Sequence, residues 1–253
     1  TLQLIEISRP DHPLLKDILR NAPGTYQHSL QIANLAGQAA ERIGANALLT
    51  RVGALYHDAG KVRYPMYFIE NQVPGSRNPH DDLPPNESAR IIIQHVTDGI
   101  ELVKKYRLPK QIQDFVLEHH GTMMTRYQYA NSVKEQEGDA QLIDKSLYTY
   151  PGPKPQSRET GLLMLADGVE ARARAERPSN REAIHALVKD VVQQRLNSGQ
   201  LNDTDLTLHD IEEVIDSFST TMRGVYHPRI EYPKIDDTTV KSPGILPEIG
   251  DSE

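Results

Sequence analysis

Residues 48–61 read LLTRVGALYHDAGK, so an apolar segment leads directly into the polar pair His57 and Asp58. The apolar residues recur three or four positions apart, which is the spacing of one face of an α-helix. The pattern predicts a helix that ends at Gly60. A buried imidazole or carboxylate is costly without a partner. The pair therefore marks a candidate site, although the His-Asp dipeptide is common by itself.

Other acid and imidazole groups interrupt apolar helical segments in the same way. A long apolar stripe follows Thr25, which is the predicted N-cap of its helix. Any one of these polar groups, taken singly, is most simply a hydrogen-bonded core residue. Several of them need a common explanation, and a metal centre supplies one. The set consists of His28, His57, Asp58, His95, His119, His120 and Asp167.

The donor types of this set indicate which metals it would bind. Neutral imidazole and carboxylate, without sulfur, suit Fe, Mn, Co, Ni or Zn better than Ca or Mg. Seven such groups exceed the needs of one tetrahedral zinc ion, so the set predicts two metals. A carboxylate can bridge two ions, and such a pair can yield hydroxide from a bridging water near neutral pH. Spacing in the sequence does not show that the residues converge.

The rest of the chain predicts an all-α fold. Helical periodicity dominates, with no convincing strand and no internal repeat. Ser157 is the predicted N-cap of the helix that carries Asp167, and Ser179 with Glu182 predicts a capping box for the next helix. Residues 233–253 contain few large apolar side chains, so we expect a disordered tail after a single domain at residues 1–232.

Composition excludes several classes of protein. The 253 residues include 28 basic and 35 acidic side chains, a formal net charge of −7. This charge argues against binding of long nucleic acid but not against a small anionic substrate. The absence of cysteine excludes disulfides, thiolate zinc sites and a cysteine nucleophile. No apolar stretch is long enough to span a membrane, and no signal peptide is visible. Because the chain begins with Thr1, we expect it to be a piece of a longer protein.

The seven residues, together with the sequence HDAGK at 57–61, resemble the metal-binding pattern of HD-domain phosphohydrolases, whose signature is H-D-x-G-K. Flanking segments resemble the cytoplasmic domain of bacterial seven-transmembrane HD phosphodiesterases of the PgpH type. The resemblance covers roughly residues 10–233, with its motifs in the expected order. These segments are APGTYQHSL (22–30), FIENQ (68–72), NPHD (78–81), HHGT (119–122), YPGPKPQ (150–156) and RIEYP (229–233).

The resemblance implies an HD-domain helical bundle with a dinuclear metal site. It implies hydrolysis of cyclic di-AMP to the linear dinucleotide pApA by a metal-bridging hydroxide, with two divalent transition metals, usually Fe or Mn. It also implies a cytoplasmic domain at the bacterial inner or plasma membrane, attached through segments outside this chain. The oligomeric state stays open. One metal would be held by His28, His57, Asp58 and Asp167, and the other by Asp58, His95, His119 and His120.

The resemblance also assigns catalytic roles to Asp58, as the bridge between the metals, and to Lys61. Lys61 would contact the substrate phosphate or stabilise the charge that develops on it. Without the resemblance, Lys61 would be interpreted as a solvated lysine at a helix end.

Further substrate contacts are expected near the HD motif. Arg63, Tyr64 and His80 lie close to it or in the following loop, and they would frame the nucleotide. A hydrated loop explains these residues equally well, and His80 fits either a base contact or a hydrogen bond within the loop. Tyr127 and Tyr129 would stack on adenine, with packing as the alternative.

Two other functions stay open at this point. Other HD hydrolases act on cyclic di-GMP, on nucleotides or on guanosine alarmones. The type that cleaves cyclic di-GMP carries a Gly-Tyr-Pro signature after its histidine pair, whereas this chain has Thr122-Met123-Met124 after Gly121. A non-catalytic nucleotide-sensing domain is the third interpretation, and the complete ligand set argues against it.

Overall fold

The computed structural model describes residues 2–225, and ten α-helices joined by turns and 3-10 segments make up this range. The one β pairing in that range is an isolated bridge between Met124 and Thr149. The all-α prediction is therefore confirmed. The predicted tail at 233–253 lies outside the described residues. The helices are α1 (Leu2–Ile7), α2 (Pro13–Asn21), α3 (Pro23–Arg42), α4 (Ala47–Tyr56), α5 (Pro85–Lys105), α6 (Lys110–Glu118), α7 (Arg126–Glu135), α8 (Arg158–Glu176), α9 (Arg181–Asn197) and α10 (Leu208–Val225).

Helix α3 begins at Pro23, so the prediction of Thr25 as its N-cap is wrong. Proline suits the first helical turn because its missing N–H would have no partner there. The N–H of Thr25 donates to the side-chain oxygen of Asn71 at 3.0 Å, and the Asn71 amide donates to the Thr25 hydroxyl at 2.9 Å. A residue 46 positions away thus caps this helix, and it ties the loop before α5 to the start of α3.

Helix α4 ends at Tyr56, four residues before the predicted end at Gly60. Residues Ala59–Arg63 continue as a 3-10 turn packed against α5. A Cβ atom at Gly60 would lie 1.8 Å from the carbonyl oxygen of His95 and 2.5 Å from the amide nitrogen of Gly99. Only glycine permits this approach of two backbones, and the approach brings the His-Asp pair against α5.

Two N-cap predictions had different outcomes. Ser157 caps α8, because its hydroxyl accepts a hydrogen bond from the N–H of Thr160 at 3.1 Å. Ser179 does not cap α9, whose N-cap is Asn180, with its side chain accepting from the N–H of Ala183 at 2.8 Å. Asparagine is as good an N-cap as serine, so Asn180 can cap the helix in place of Ser179.

Two apolar clusters form the core. One contains residues of α3, α8, α9 and α10, such as Ile32, Leu163 and Val188. The other contains residues of α1, α2, α4 and α6, such as Leu14 and Val52. Helices α3 and α4 pack closely, and α4 contributes buried residues to both clusters. None of the helices within the described range has the length and apolar character needed to cross a membrane.

Candidate metal centre

The structure brings the seven predicted ligands together between α3, α5, α8 and the C-terminal ends of α4 and α6. The possible ligand atoms form two groups, and within each group all the atoms lie within 4.8 Å of one another. Both groups contain Asp58. The first group is His28, His57 and Asp58, and the second is Asp58, His95, His119 and His120.

Asp58 lies at the centre of the cluster, and its side chain is only 2% exposed. Its Oδ2 atom is 3.2 Å from Nε2 of His57 and 3.6 Å from Nε2 of His28. Its Oδ1 atom is 3.3 Å from Nε2 of His95 and 3.5 Å from Nε2 of His119. Each carboxylate oxygen thus faces a different pair of histidines, as a bridge between two cations requires.

Three histidines are oriented by the backbone of their own helices. His57 and His119 donate from Nδ1 to the carbonyl oxygen three residues earlier, at 2.7 and 2.8 Å, and His95 makes the same contact. A carbonyl oxygen only accepts, so the proton must be on Nδ1 and the Nε2 lone pair of a neutral ring points at Asp58. Fixing the tautomer through the second ring nitrogen is the usual arrangement for metal-ligating histidines.

His28 is oriented by carboxylates of α8 instead. Its Nδ1 lies 2.6 Å from Oε2 of Glu170, and its Nε2 lies 3.1 Å from Oδ1 of Asp167. Burial lowers the pKa of His28, but the hydrogen bonds to Asp167 and Glu170 outweigh it and raise the pKa to about 9. Glu170 was not predicted. The signal for it is its spacing of three residues from Asp167, which places both on one face of a helix.

His120 and Asp167 complete the cluster. The ring of His120 stacks on Tyr150, with centroids 4.3 Å apart and planes at 27°. Its Nδ1 lies 4.0 Å from Oδ2 of Asp167, whose other oxygen contacts His28. Asp167 therefore lies between the two groups of ligand atoms.

The electrostatics favour a charged carboxylate at Asp58 and neutral imidazoles at His119 and His120. Burial would raise the pKa of Asp58, but the neighbouring His57 and Lys61 hold it well below its ordinary value. Burial lowers the pKa of His119 to about 4 and that of His120 well below its ordinary value. A ligand must be deprotonated to bind a metal, and these side chains meet that condition near neutral pH.

Lys61 is buried between two carboxylates, so its interpretation as a solvated lysine is wrong. Its Nζ lies 2.7 Å from Oδ2 of Asp58 and 2.7 Å from Oε1 of Glu70, and 4.9 Å from the ring centre of Phe68. Its side chain is 12% exposed. The charges of Asp58 and Glu70 outweigh burial and raise the pKa of Lys61. Glu70, which the sequence did not reveal, is the second partner of this cation.

The other predicted substrate contacts lie further out. Arg63 is half-exposed and approaches Glu101, at 3.4 Å, and Tyr64 is 54% exposed. His80 uses both ring nitrogens within its loop, with Nε2 2.8 Å from the carbonyl oxygen of Tyr67 and Nδ1 2.8 Å from Oγ of Ser88. These contacts support the hydrogen-bonding alternative for His80. Contacts of Arg63, Tyr64 and His80 with a substrate stay predictions.

Tyr127 and Tyr129 have different surroundings. Tyr127 is 72% exposed and lines an open cavity beside the cluster. Tyr129 packs edge-on against Tyr148, with ring centroids 5.6 Å apart. The packing alternative thus describes Tyr129, while Tyr127 lies where a base could stack.

The cluster fits divalent cations on its own chemistry. Within residues 2–225, the buried atoms without a hydrogen-bond partner include Nε2 of His57, both oxygens of Asp58 and Nδ1 of His120. Oδ2 of Asp58 faces the Lys61 ammonium at 2.7 Å, so the other three atoms are the ones without a partner. Unsatisfied buried acceptors are costly, and cations shared through Asp58 would satisfy these three atoms. The nitrogen and oxygen donors, without sulfur, suit first-row transition metals.

Comparisons with known proteins agree with this site. The family model for the HD domain matches residues 25–172, and this domain implies divalent metal binding. The cyclic-di-AMP phosphodiesterase PgpH of Bacillus subtilis is 44% identical over 234 residues, which are 92% of this chain and 32% of that protein. The chain thus spans about a third of the length of the curated relatives it matches.

Solved structures give the same result. The crystal structure of the PgpH HD domain from Listeria monocytogenes matches with a TM-score of 0.80 and 42% identity, over 86% of this chain and all of that one. The structure of that domain in complex with cyclic di-AMP matches with a TM-score of 0.81 and 41% identity, at the same coverage. The resemblance found in the sequence is confirmed, and the chain belongs to the HD domain family.

Proposed function

We propose that this domain is a metal-dependent phosphodiesterase that hydrolyses cyclic di-AMP to pApA. The observation that carries the proposal is the convergence of six further nitrogen and oxygen side chains on the buried Asp58 and its neighbours. The choice of substrate is supported by relatives named for cyclic-di-AMP hydrolysis and by the related domain crystallised with cyclic di-AMP.

The two groups of ligand atoms suggest how the metals would be held. One would be bound by His28, His57 and Asp167 and the other by His95, His119 and His120, with Asp58 shared. Iron and manganese suit this mixture of imidazole and carboxylate. When bound, two such cations supply positive charge to phosphate oxygens and lower the pKa of water, so that hydroxide is available near neutral pH.

The protein supplies orientation and fixed charge for this chemistry. Asp58 keeps its charge and presents one oxygen to each half of the cluster. Glu70 and Phe68 hold the Lys61 ammonium beside Asp58, at the edge of the region where negative charge develops on a phosphodiester during attack. Tyr150 covers one face of His120 and limits the access of water to it.

A purified domain gives a direct test. Protein loaded with Mn²⁺, or with Fe²⁺ under anaerobic conditions, is mixed with cyclic di-AMP, and pApA is followed by liquid chromatography. We expect metal-dependent formation of pApA, and slower cleavage of cyclic di-GMP. Binding of cyclic di-AMP without a linear product would make the domain a nucleotide sensor. Faster cleavage of cyclic di-GMP would show that the proposed substrate is wrong.

The metal and the cellular location need separate experiments. Protein purified anaerobically should contain about two Fe or Mn per chain by elemental analysis, and a content of one zinc would contradict the proposal. From the resemblance, we also propose that this is the cytoplasmic domain of a bacterial membrane protein. The natural gene product should then sediment with membranes, and its HD domain should be degraded by protease only after the cells are opened.

A further inference from the structure

An open cavity of about 790 Å³ adjoins the cluster of predicted metal ligands. His120 and Tyr150 form its wall on the cluster side, while Arg126 and Arg195 come from the beginning of α7 and the end of α9. Tyr127 also lines it, and so do three glutamine side chains. The cavity thus offers positive charge, an aromatic ring and amide groups directly beside the cluster.

Arg195 has an unusual environment for an arginine. Its Nε atom is buried without a hydrogen-bond partner, and no carboxylate within residues 2–225 lies within 4.0 Å of its guanidinium. Burial lowers the pKa of Arg195 below its ordinary value. Arg195 is half-buried, and its guanidinium has donors that no carboxylate in the described part of the chain satisfies, so an anion in the cavity would complete its environment.

The adjacent helix makes room for the guanidinium. A Cβ atom at Gly168 would lie 3.0 Å from Nη2 of Arg195, so the absence of a side chain there lets the arginine lie against α8. Gly168 directly follows Asp167, one of the seven clustered residues. Arg195 is therefore held next to the cluster and faces the same cavity as His120.

We infer that Arg195 forms an anion-binding subsite for the phosphodiester of a cyclic dinucleotide that is not being cleaved. A cyclic dinucleotide has two phosphodiesters. When one of them lies at the proposed metal centre, the other must be held elsewhere in the same cavity. The planar guanidinium fork matches two phosphate oxygens. Arg126, at the exposed rim, adds charge that attracts the ligand, and Tyr127 and Gln128 lie where its bases would fit.

The inference rests on the proposed function and makes Arg195 a determinant of specificity. A simple phosphodiester such as bis(p-nitrophenyl) phosphate uses the metal cluster but has no second phosphate for the subsite. Loss of Arg195 should therefore weaken the binding and hydrolysis of cyclic di-AMP much more than the hydrolysis of the simple substrate.

The test compares both substrates in the Mn²⁺-loaded protein. Arg195→Gln keeps most of the aliphatic stem and should raise KM for cyclic di-AMP roughly 10- to 100-fold, the equivalent of a lost hydrogen-bonded charge. The loss in kcat/KM on bis(p-nitrophenyl) phosphate should be at least tenfold smaller. Arg195→Lys, which keeps the charge but not the fork, should recover part of the affinity. Arg181→Ala is the matched control, because Arg181 is an exposed arginine of α9 that lines a different groove.

Four results would test the Arg195 subsite and the proposed function separately. An unchanged KM for cyclic di-AMP in Arg195→Gln overturns the subsite, and so does an equal loss on both substrates, which would give Arg195 a role in the metal cluster or the fold. If the parent protein cleaves bis(p-nitrophenyl) phosphate but not cyclic di-AMP, the proposed function fails. The subsite can then be tested separately by measuring the affinity of pApA by calorimetry. We expect pApA to bind Arg195→Gln at least tenfold more weakly than Arg181→Ala. No difference between these two variants would refute it.

Discussion

The hydrogen bond between His28 and Glu170 allows one half of the proposed two-metal centre to be weakened selectively. Its length of 2.6 Å and its burial are those of a charge-assisted bond. Such a bond contributes about 1.5–3 kcal/mol, which corresponds to a factor of roughly 10 to 100 in affinity. Loss of an outer partner of a metal-ligating histidine has an effect of the same size. We therefore expect Glu170→Ala to weaken one metal site by roughly 10- to 100-fold.

Glu170→Gln should have a smaller effect, about tenfold or less, because a neutral amide oxygen still accepts from Nδ1 of His28. Titration of the metal-free protein with Mn²⁺ by calorimetry would resolve the two sites, and elemental analysis would give their occupancy. Glu176→Gln is the matched control, since Glu176 is an exposed residue of the same helix paired with Arg172. Two sites of parental affinity in Glu170→Ala would refute the reasoning, and equal weakening of both would show that His28 does not belong to one site.

Three further changes test other parts of the structure. Asp58→Asn replaces one bridging oxygen by an amide nitrogen and should remove both metals, so a retained metal pair in elemental analysis would contradict the bridging role. Gly60→Ala places a methyl group against the α5 backbone and should lower the free energy of unfolding by at least about 1–3 kcal/mol in urea titrations. Gly224→Ala, whose added Cβ meets no atom of the described part of the chain within 4 Å, is its control, and equal stability of the two variants would argue against the close backbone contact. Asn71→Ala removes the acceptor for the N–H of Thr25 and should cost about 1 kcal/mol in the same assay, whereas an unchanged urea midpoint would show that this cap does not matter.

The seven clustered residues were predictable because each interrupts an apolar helical segment, where a polar side chain stands out. Glu170 and Arg195 do not stand out, because they lie among charged and polar neighbours in VEARAR and VQQRLN. Such segments are typical of a solvated helix face. The burial of Glu170 and the partial burial of Arg195 arise from packing of α8 against α3 and α9, which the local sequence does not reveal.

The ends of helices were also difficult to predict where they depend on residues distant in the sequence. Thr25 and Gly60 carry sound local signals for a helix start and a helix end. The observed ends depend on contacts with Asn71 and with the α5 backbone, which are distant in the sequence. Ser157 was predicted correctly because its partner, Thr160, lies within the same turn.

The backbone hydrogen bonds of His57, His95 and His119 have a consequence for sequence divergence. No amino-acid substitution removes a main-chain carbonyl, so mutation has few ways to alter the orientation of these three rings while their helices persist. Orientation of His28 depends on side chains of α8, which a single codon change can replace. Single substitutions on α8 can therefore change the orientation of His28, whereas the orientation of His57, His95 and His119 is inherited with the helices that carry them.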